Sequence, residues 1–333
     1  MRQIGDGSLQ QQLLKPASNR QEAVRVGHVI VLAQHDKEAL DHQKQHLLSK
    51  YWVNETAHFL ICRKRSSNQC VVMHTFKTSE IDADLICFIA DELASFGLVN
   101  SAKEFGAALF AVMASTFPPP RDQPMIWQRF CLNTLGKLRE HIAHPLPTPP
   151  VVSYIFPFAT IYRRVFELFT GQSLLDVGCS FGFLPVLIAE QVPNTCIMGC
   201  DSNPDALGFS TALADAAGMH HVGFSLQDVR NATLRCLGTF DTVTALHVLE
   251  HLPEGDMPVT FTHLLQVTSK RLIVAVPFEE KVQAVYGHQQ VFTLEKLHAW
   301  GKWCIDALGG AGHYWCEEVM GGMLIVDRSS EEE

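Results

Sequence analysis

The second half of this 333-residue chain is predicted to be an α/β domain, a mostly parallel sheet with helices on both faces. Three observations predict it. From about residue 155, short apolar runs alternate with helical patterns. The first run ends in an acid and breaks into glycines, in "LLDVGCSFGFLP". A proline-rich stretch, "PLPTPP" at 145–150, separates this pattern from a different one upstream, mixed α/β and mainly helical.

In chain order, residues 1–22 are polar and Gln-rich without an apolar period, which predicts a disordered arm. Residues 23–150 are expected to form an accessory or lid region. "HVIVLAQ" has strand character, and "DKEALDHQKQHLLSKY" predicts a helix over 36–51 capped by Asp36. "HFLICRK" and "CVVMHTF" flank "RSSNQ" as a hairpin. The spacing between Ser79 and Phe117 favours two helices broken near Gly97, and "MIWQRFCLNTLGKLREHIAH" a third.

Residues 151–328 then supply helix "FATIYRRVFELFT", strand "SLLDVG", helix "GFLPVLIAEQV", strand "TCIMGCD", helix "DALGFSTALADAAG" and strand "VGFSLQD". Such alternation implies right-handed βαβ crossovers. "FDTVTALHVLEHL" and "RLIVAVP" add strands, and "TLEKLHAWGKWCIDALGG" a helix ending in glycines. "HYWCEEV" and "GMLIVDR" form a closing pair joined by "MGG". An acidic tail occupies 329–333.

Composition narrows the function classes. A net charge of −9 gives no global attraction to a polyanion, so nucleic acid is not the expected partner. The ten cysteines include no Cys-x-x-Cys pair, and several lie in apolar runs, which reads as a reduced, cytoplasmic chain. No apolar stretch reaches the roughly 18–20 residues that cross a bilayer, and the N-terminus lacks the apolar core of a secretory signal.

The glycine turn is the first chemically specific feature. A strand that stops at Asp176 and reverses into a helix needs backbone conformations that a side chain obstructs, so Gly178, Ser180 and Gly182 leave a slot at the sheet's C-terminal edge. The free N–H groups of the following helix suit a nucleoside with an anionic end. Asp201 closes the next strand, where a carboxylate can accept hydrogen bonds from both ribose hydroxyls. Asp228 closes the third, placed either to meet an adenine amino group or to cap a helix.

Taken in order, "LLDVGCSFG", "GCDSNP", "QD" and "FDTVTALHVLEHLP" resemble the class I S-adenosylmethionine-dependent methyltransferases over residues 155–328. The resemblance implies a Rossmann-like sheet of seven strands in the order 3-2-1-4-5-7-6, the last antiparallel, and S-adenosyl-L-methionine as cofactor. It implies that Asp176 and Gly178 line the methionine end and Asp201 holds the ribose. Asp228 and Val229 would flank the adenine, with Leu246 and His247 as the pocket floor. Ser180 replaces the family's middle glycine. The spacing is not the Gly-x-Gly-x-x-Gly of nicotinamide dehydrogenases.

Methyl transfer to a hydroxyl requires alignment and a base. "HVLEHLP" offers His247, Glu250 and His251, which share one face if the segment is helical. Metal-assisted family members carry Glu-x-x-Glu-His here, and His247 replaces the first Glu. No metal is therefore expected; one, if bound, would draw on His247, Glu250, His251 and His288. His288, in a turn between Gly287 and the Thr293 cap, is a second candidate base, and Glu279 and Glu280 could contact acceptor hydroxyls.

The expected activity is O-methylation of a small molecule or glycan, with Glu250, His251 and His288 as catalytic groups. "SLLDVGCSFGFLPVLIAE", "HVLEHLP" and "VPFEEKVQAVYGHQQVF" are similar to mycofactocin oligosaccharide methyltransferases, which methylate a glucose of a glycosylated peptide-derived cofactor. The alternatives are a methyltransferase of a protein or other small-molecule acceptor, a methyltransferase-fold binding protein without activity, and a nicotinamide oxidoreductase. The oligomeric state is not legible.

Overall fold

The structure, a computed structural model, describes residues 23–329 apart from 49, 149 and 151. The expected N-terminal arm (1–22) and all but the first residue of the acidic tail lie outside the described residues. Two compact units divide between Thr134 and Leu135, inside a helix spanning Gln123–Ala143. The proline-rich stretch at 145–150 therefore lies within the C-terminal unit.

The N-terminal unit is built on a five-stranded sheet in the order β1-β2-β5-β4-β3. Its strands are β1 (Val24–Val26), β2 (Val29–Ala33), β3 (Tyr51–Glu55), β4 (Leu60–Lys64) and β5 (Cys70–His74). The expected β4–β5 hairpin is present, and β2 pairs with β5 in parallel. Helix α1 (Lys37–Leu47) is capped by Asp36, which accepts from Ala39 N at 2.8 Å; its Leu40 and Leu47 join Ile30, Leu32, Leu60 and Met73 in one core. The helix stops short of the expected residue 51. Tyr51, Trp52 and Val53, aromatic and β-branched, pair instead with Lys64, Arg63 and Cys62 of β4. Helix α2 (Asp84–Phe88) continues into a π-helical turn (Ile89–Ala94), and Gly97 at φ +65° separates it from α3 (Ala102–Ser115).

The C-terminal unit holds a seven-stranded sheet in the order β11-β12-β10-β9-β6-β7-β8. The strands are β6 (Ser173–Val177), β7 (Cys196–Asp201), β8 (Gly223–Leu226), β9 (Phe240–Leu246), β10 (Thr268–Val276), β11 (Gly312–Glu318) and β12 (Gly322–Arg328). Numbered within the sheet, this is the expected 3-2-1-4-5-7-6 order, with β12 antiparallel to both its neighbours. Leu175, Val177, Val243, Ala245, Leu272 and Val274, buried in the central strands, form a core with apolar residues of the covering elements. Burial on both faces explains why these strands read as continuous apolar runs.

Helices α4 (Ile155–Leu168), α5 (Phe183–Gln191), α6 (Pro204–Ala216) and α7 (Leu294–Ala307) correspond to expected ones. A further helix, α8 (Met257–Val267), follows β9 where the sequence reading assigned no element; it buries Met257, Phe261, Leu264 and Leu265. Among the described residues, no helix is long and apolar enough to cross a membrane.

Candidate active site

The C-terminal ends of β6, β7, β8 and β9 bring the sequence-selected residues to one sheet edge. After β6 the chain turns back over β7: Gly178 N and Cys179 N both donate to Cys200 O, at 2.7 and 2.9 Å. Gly178 (φ +73°) is required here because a Cβ would lie 2.4 Å from Val248 Cγ2. Gly182 (φ +76°) opens α5, which has no side-chain N-cap, so its first N–H groups remain available to an anion. Ser180, the departure from the glycine pattern, itself takes a left-handed φ of +49°.

Asp201 already holds this loop. Its carboxylate accepts from Ser180 N at 2.9 Å and Asn203 N at 2.8 Å, one bond per oxygen. Each carboxylate oxygen retains acceptor capacity for a ribose hydroxyl. Asp176 is buried beneath, and burial pushes its carboxyl pKa up to about 7 against the opposing hydrogen bond from Thr244.

Asp228 lies in an ion pair with Arg230. Both its oxygens meet the Arg230 guanidinium, at 3.0 Å from Nε and 2.6 Å from Nη2, and this holds its pKa below the ordinary value. Its Oδ1 also accepts from Arg230 N. Val229 is buried, and its carbonyl accepts from His263 Nδ1 at 2.8 Å.

Beyond β9 the segment is not the regular helix considered from the sequence. Leu246 is buried, His247 takes a left-handed φ of +55°, and a single 3₁₀ turn spans Leu249–His251. Left-handed backbone at a histidine stores local strain. His247 and Glu250 nevertheless meet, with Nδ1 3.3 Å from Oε1. The contact is not an aligned hydrogen bond: among the described residues, neither oxygen of Glu250, only 1% exposed, has a hydrogen-bond partner, and His247 Nε2 is likewise buried without one. The Phe158 ring packs 4.9 Å from that of His247.

His251 and His288, the two candidate bases, come together with their rings edge to face at 4.8 Å. One ligand atom each from Glu250, His251 and His288 falls within 4.8 Å of the others. His247 is not part of that group, so the four-residue metal set reduces to three. A buried carboxylate with free lone pairs beside two imidazoles fits a divalent cation or a hydroxyl. Burial lowers the His251 pKa, against the raising charge of Glu250.

Sequence reasoning missed what holds these groups in place. Gln289 N donates to Glu250 O at 2.7 Å and Gln289 Nε2 to His251 O at 2.6 Å. The buried Gln290 Nε2 donates to Leu249 O and Leu252 O, both at 2.9 Å. Glu279 bonds His288 Nδ1 at 2.9 Å. Glu280 is exposed. No sequence signal marks the glutamines.

Residues 174–271 match the family described as a methyltransferase domain. The chain is 31% identical over 94 residues to the ubiquinone biosynthesis O-methyltransferase of Cronobacter sakazakii, covering 28% of this chain and 37% of that protein. It is 26% identical over 82 residues to N-methyltransferase 4 of Papaver somniferum, covering 25% and 23%. The chain therefore spans well under half the length of either relative. Magnesium protoporphyrin IX methyltransferase from Synechocystis PCC 6803, solved with bound S-adenosylmethionine, is similar at 18% identity and a TM-score of 0.39, covering 64% of this chain and all of that one. The family match falls on strands β6 to β9 and the start of β10, and the seven-stranded sheet of the C-terminal unit, with its one antiparallel strand β12, has the Rossmann-like methyltransferase fold.

Proposed function

We propose that this chain transfers a methyl group from S-adenosylmethionine to a hydroxyl of a small molecule or glycan. The observation that carries the reading is Glu250. Its buried carboxylate, with both oxygens free of hydrogen bonds among the described residues, lies among histidines at the sheet edge where the glycine turn and Asp201 form the cofactor slot.

When bound, the sulfonium supplies a methyl group already activated for displacement. The chain's residues then have three tasks. The α5 N–H groups and Asp201 orient the cofactor's two ends. The Glu250 carboxylate accepts a hydrogen bond from the acceptor and fixes its approach. A histidine of the cluster takes the hydroxyl proton as the new C–O bond forms, since a neutral hydroxyl is a poor nucleophile. A resident divalent cation would be held by Glu250, His251 and His288 and would lower the hydroxyl's pKa. A sugar hydroxyl, including a glucose of the mycofactocin oligosaccharide, is the most demanding acceptor because it is the weakest acid; the sequence phrases shared with that group support it.

The test is calorimetric titration with S-adenosylmethionine and S-adenosylhomocysteine, beside Asp201→Ala, Asp201→Asn and an NADH control. Saturable binding weakened by either substitution supports the reading. A screen of phenols and glycans with and without EDTA then sorts acceptors and metal dependence. Absence of binding by folded wild-type protein overturns the reading and favours a role in interaction without transfer.

A further inference from the structure

Three histidines surround Glu250, and their surroundings differ. His247 approaches Glu250 at 3.3 Å without aligned geometry, from a left-handed backbone. His251 is made less basic by burial, and its imidazole also interacts with the Gly287 backbone. His288 alone has an aligned carboxylate partner, Glu279 Oε2, 2.9 Å from Nδ1. Both side chains of that pair are shielded, at 8% and 15% exposure.

The chain holds this pair deliberately in register. Phe278 and Phe292 form an isolated bridge that closes the base of the loop between them, and Phe292 is buried. Glu279 follows Phe278 directly, so it stands at the foot of one arm. His288 stands on the other arm, just past the left-handed Gly287 and immediately before the two glutamines that bond the Leu249–Leu252 turn. The bridge fixes the carboxylate and the glutamines fix the imidazole.

A carboxylate can only accept, so the shared hydrogen belongs to the imidazole. We infer that Glu279 is a positioning residue that holds His288 as the Nδ1–H tautomer and leaves Nε2 as the unprotonated nitrogen that removes the acceptor's proton. In that step the acceptor O–H bond breaks and its proton goes to His288 Nε2. The oxygen forms its bond to the methyl carbon as the carbon–sulfur bond breaks, the electron pair returning to sulfur. The resulting imidazolium keeps its Nδ1–H directed at Glu279, whose charge stabilises it. The inference rests on the proposed hydroxyl-methylating function.

The tautomer can be read without knowing the acceptor. Long-range proton–nitrogen correlation spectra of the ¹⁵N-labelled full chain, recorded above neutral pH with S-adenosylhomocysteine, report which ring nitrogen carries hydrogen. His288→Gln assigns the signal. The expected result is a protonated Nδ1 and a bare Nε2 in the wild type. In Glu279→Gln the Nε2–H form becomes populated, and Glu279→Asp, which keeps the charge, retains more of the Nδ1–H form than Glu279→Gln does. An Nε2–H His288 in the wild type, or a pattern unchanged by Glu279→Gln, overturns the inference. S-adenosylhomocysteine affinity within about twofold of wild type shows that the variants are folded. Failure of the wild type to bind it sinks the proposed function while leaving the tautomer result to stand by itself.

Discussion

Thr244 Oγ1 donates to Asp176 Oδ1 at 2.7 Å, and the two residues are direct register partners on the adjacent parallel strands β9 and β6. The bond explains how a carboxyl group is tolerated at 5% exposure in the middle of an apolar sheet. It offsets only part of the burial cost, because the Asp176 pKa still rises from 3.8 to about 7.

A pH dependence follows from that shift. Between the two values the folded chain binds a proton that the unfolded chain has released, so the Asp176 contribution to stability is complete below about pH 4 and is lost as pH rises through about 7. The full effect is about 4 kcal/mol. Asp176→Asn removes the titration at nearly constant volume. Its melting temperature relative to wild type is expected to climb between acid and mildly alkaline buffers, and calorimetric scans across that range check it. A constant difference would show that Asp176 does not titrate there.

Gly178→Ala places a methyl group 2.4 Å from Val248 Cγ2 at a left-handed φ. Backbone strain of about 1–2 kcal/mol and overpacking of about 1–3 kcal/mol combine. Urea unfolding is expected to show a loss of about 3 kcal/mol, of which Val248→Ala in the same chain restores the overpacking share. No restoration would place the whole cost in the backbone.

Ser180→Gly runs the other way. Ser180 occupies φ +49°, and the bond it gives Asp201 comes from its backbone N–H, which glycine keeps. Relief of about 1–2 kcal/mol exceeds the roughly 0.5–1 kcal/mol entropic penalty of glycine. A gain of about 0.5 kcal/mol is expected by urea unfolding, with cofactor affinity undiminished. A loss would show that the Ser180 hydroxyl contributes more than its backbone strain costs.

Gly301 lies inside α7, where helix propensity favours Gly→Ala by about 1 kcal/mol. Packing reverses the sign, since the new Cβ would meet the Tyr314 ring of β11 at 2.2 Å. Gly301→Ala is expected to destabilise by about 2 kcal/mol in urea. A raised midpoint would mean that the ring moves aside freely.

The parallel sheet was legible because both its faces are covered, which writes each strand as an unbroken apolar run bounded by acid or glycine. Asp176, Asp201 and Gly178 stood out for the same reason: polar or side-chain-free positions at the ends of such runs have few packing explanations. Helix α8 was missed because Pro258 and two threonines interrupt a pattern whose apolar face, Met257, Phe261 and Leu264, is clear only once its neighbours are known. Strand β3 lost its outline to the helix-forming residues before it. At the site, histidines and acids could be nominated by type, but their pairing could not. His288 with Glu279, and His247 with Phe158, depend on how a loop and a helix fold back on the sheet.

The two glutamines that clasp the Leu249–Leu252 turn have a thermodynamic consequence. Residues 250, 251 and 288 come from segments nearly forty positions apart, and an unclasped loop would have to be ordered anew each time an acceptor arrived. On the proposed reading, in which these residues meet the acceptor, that ordering is completed once, during folding, and association with the acceptor loses little chain entropy. On the same reading, loosening the clasp with Gln290→Ala transfers the cost to each catalytic encounter and weakens acceptor binding, while the glycine turn, tied to Asp201 through Ser180 N, keeps its ligand.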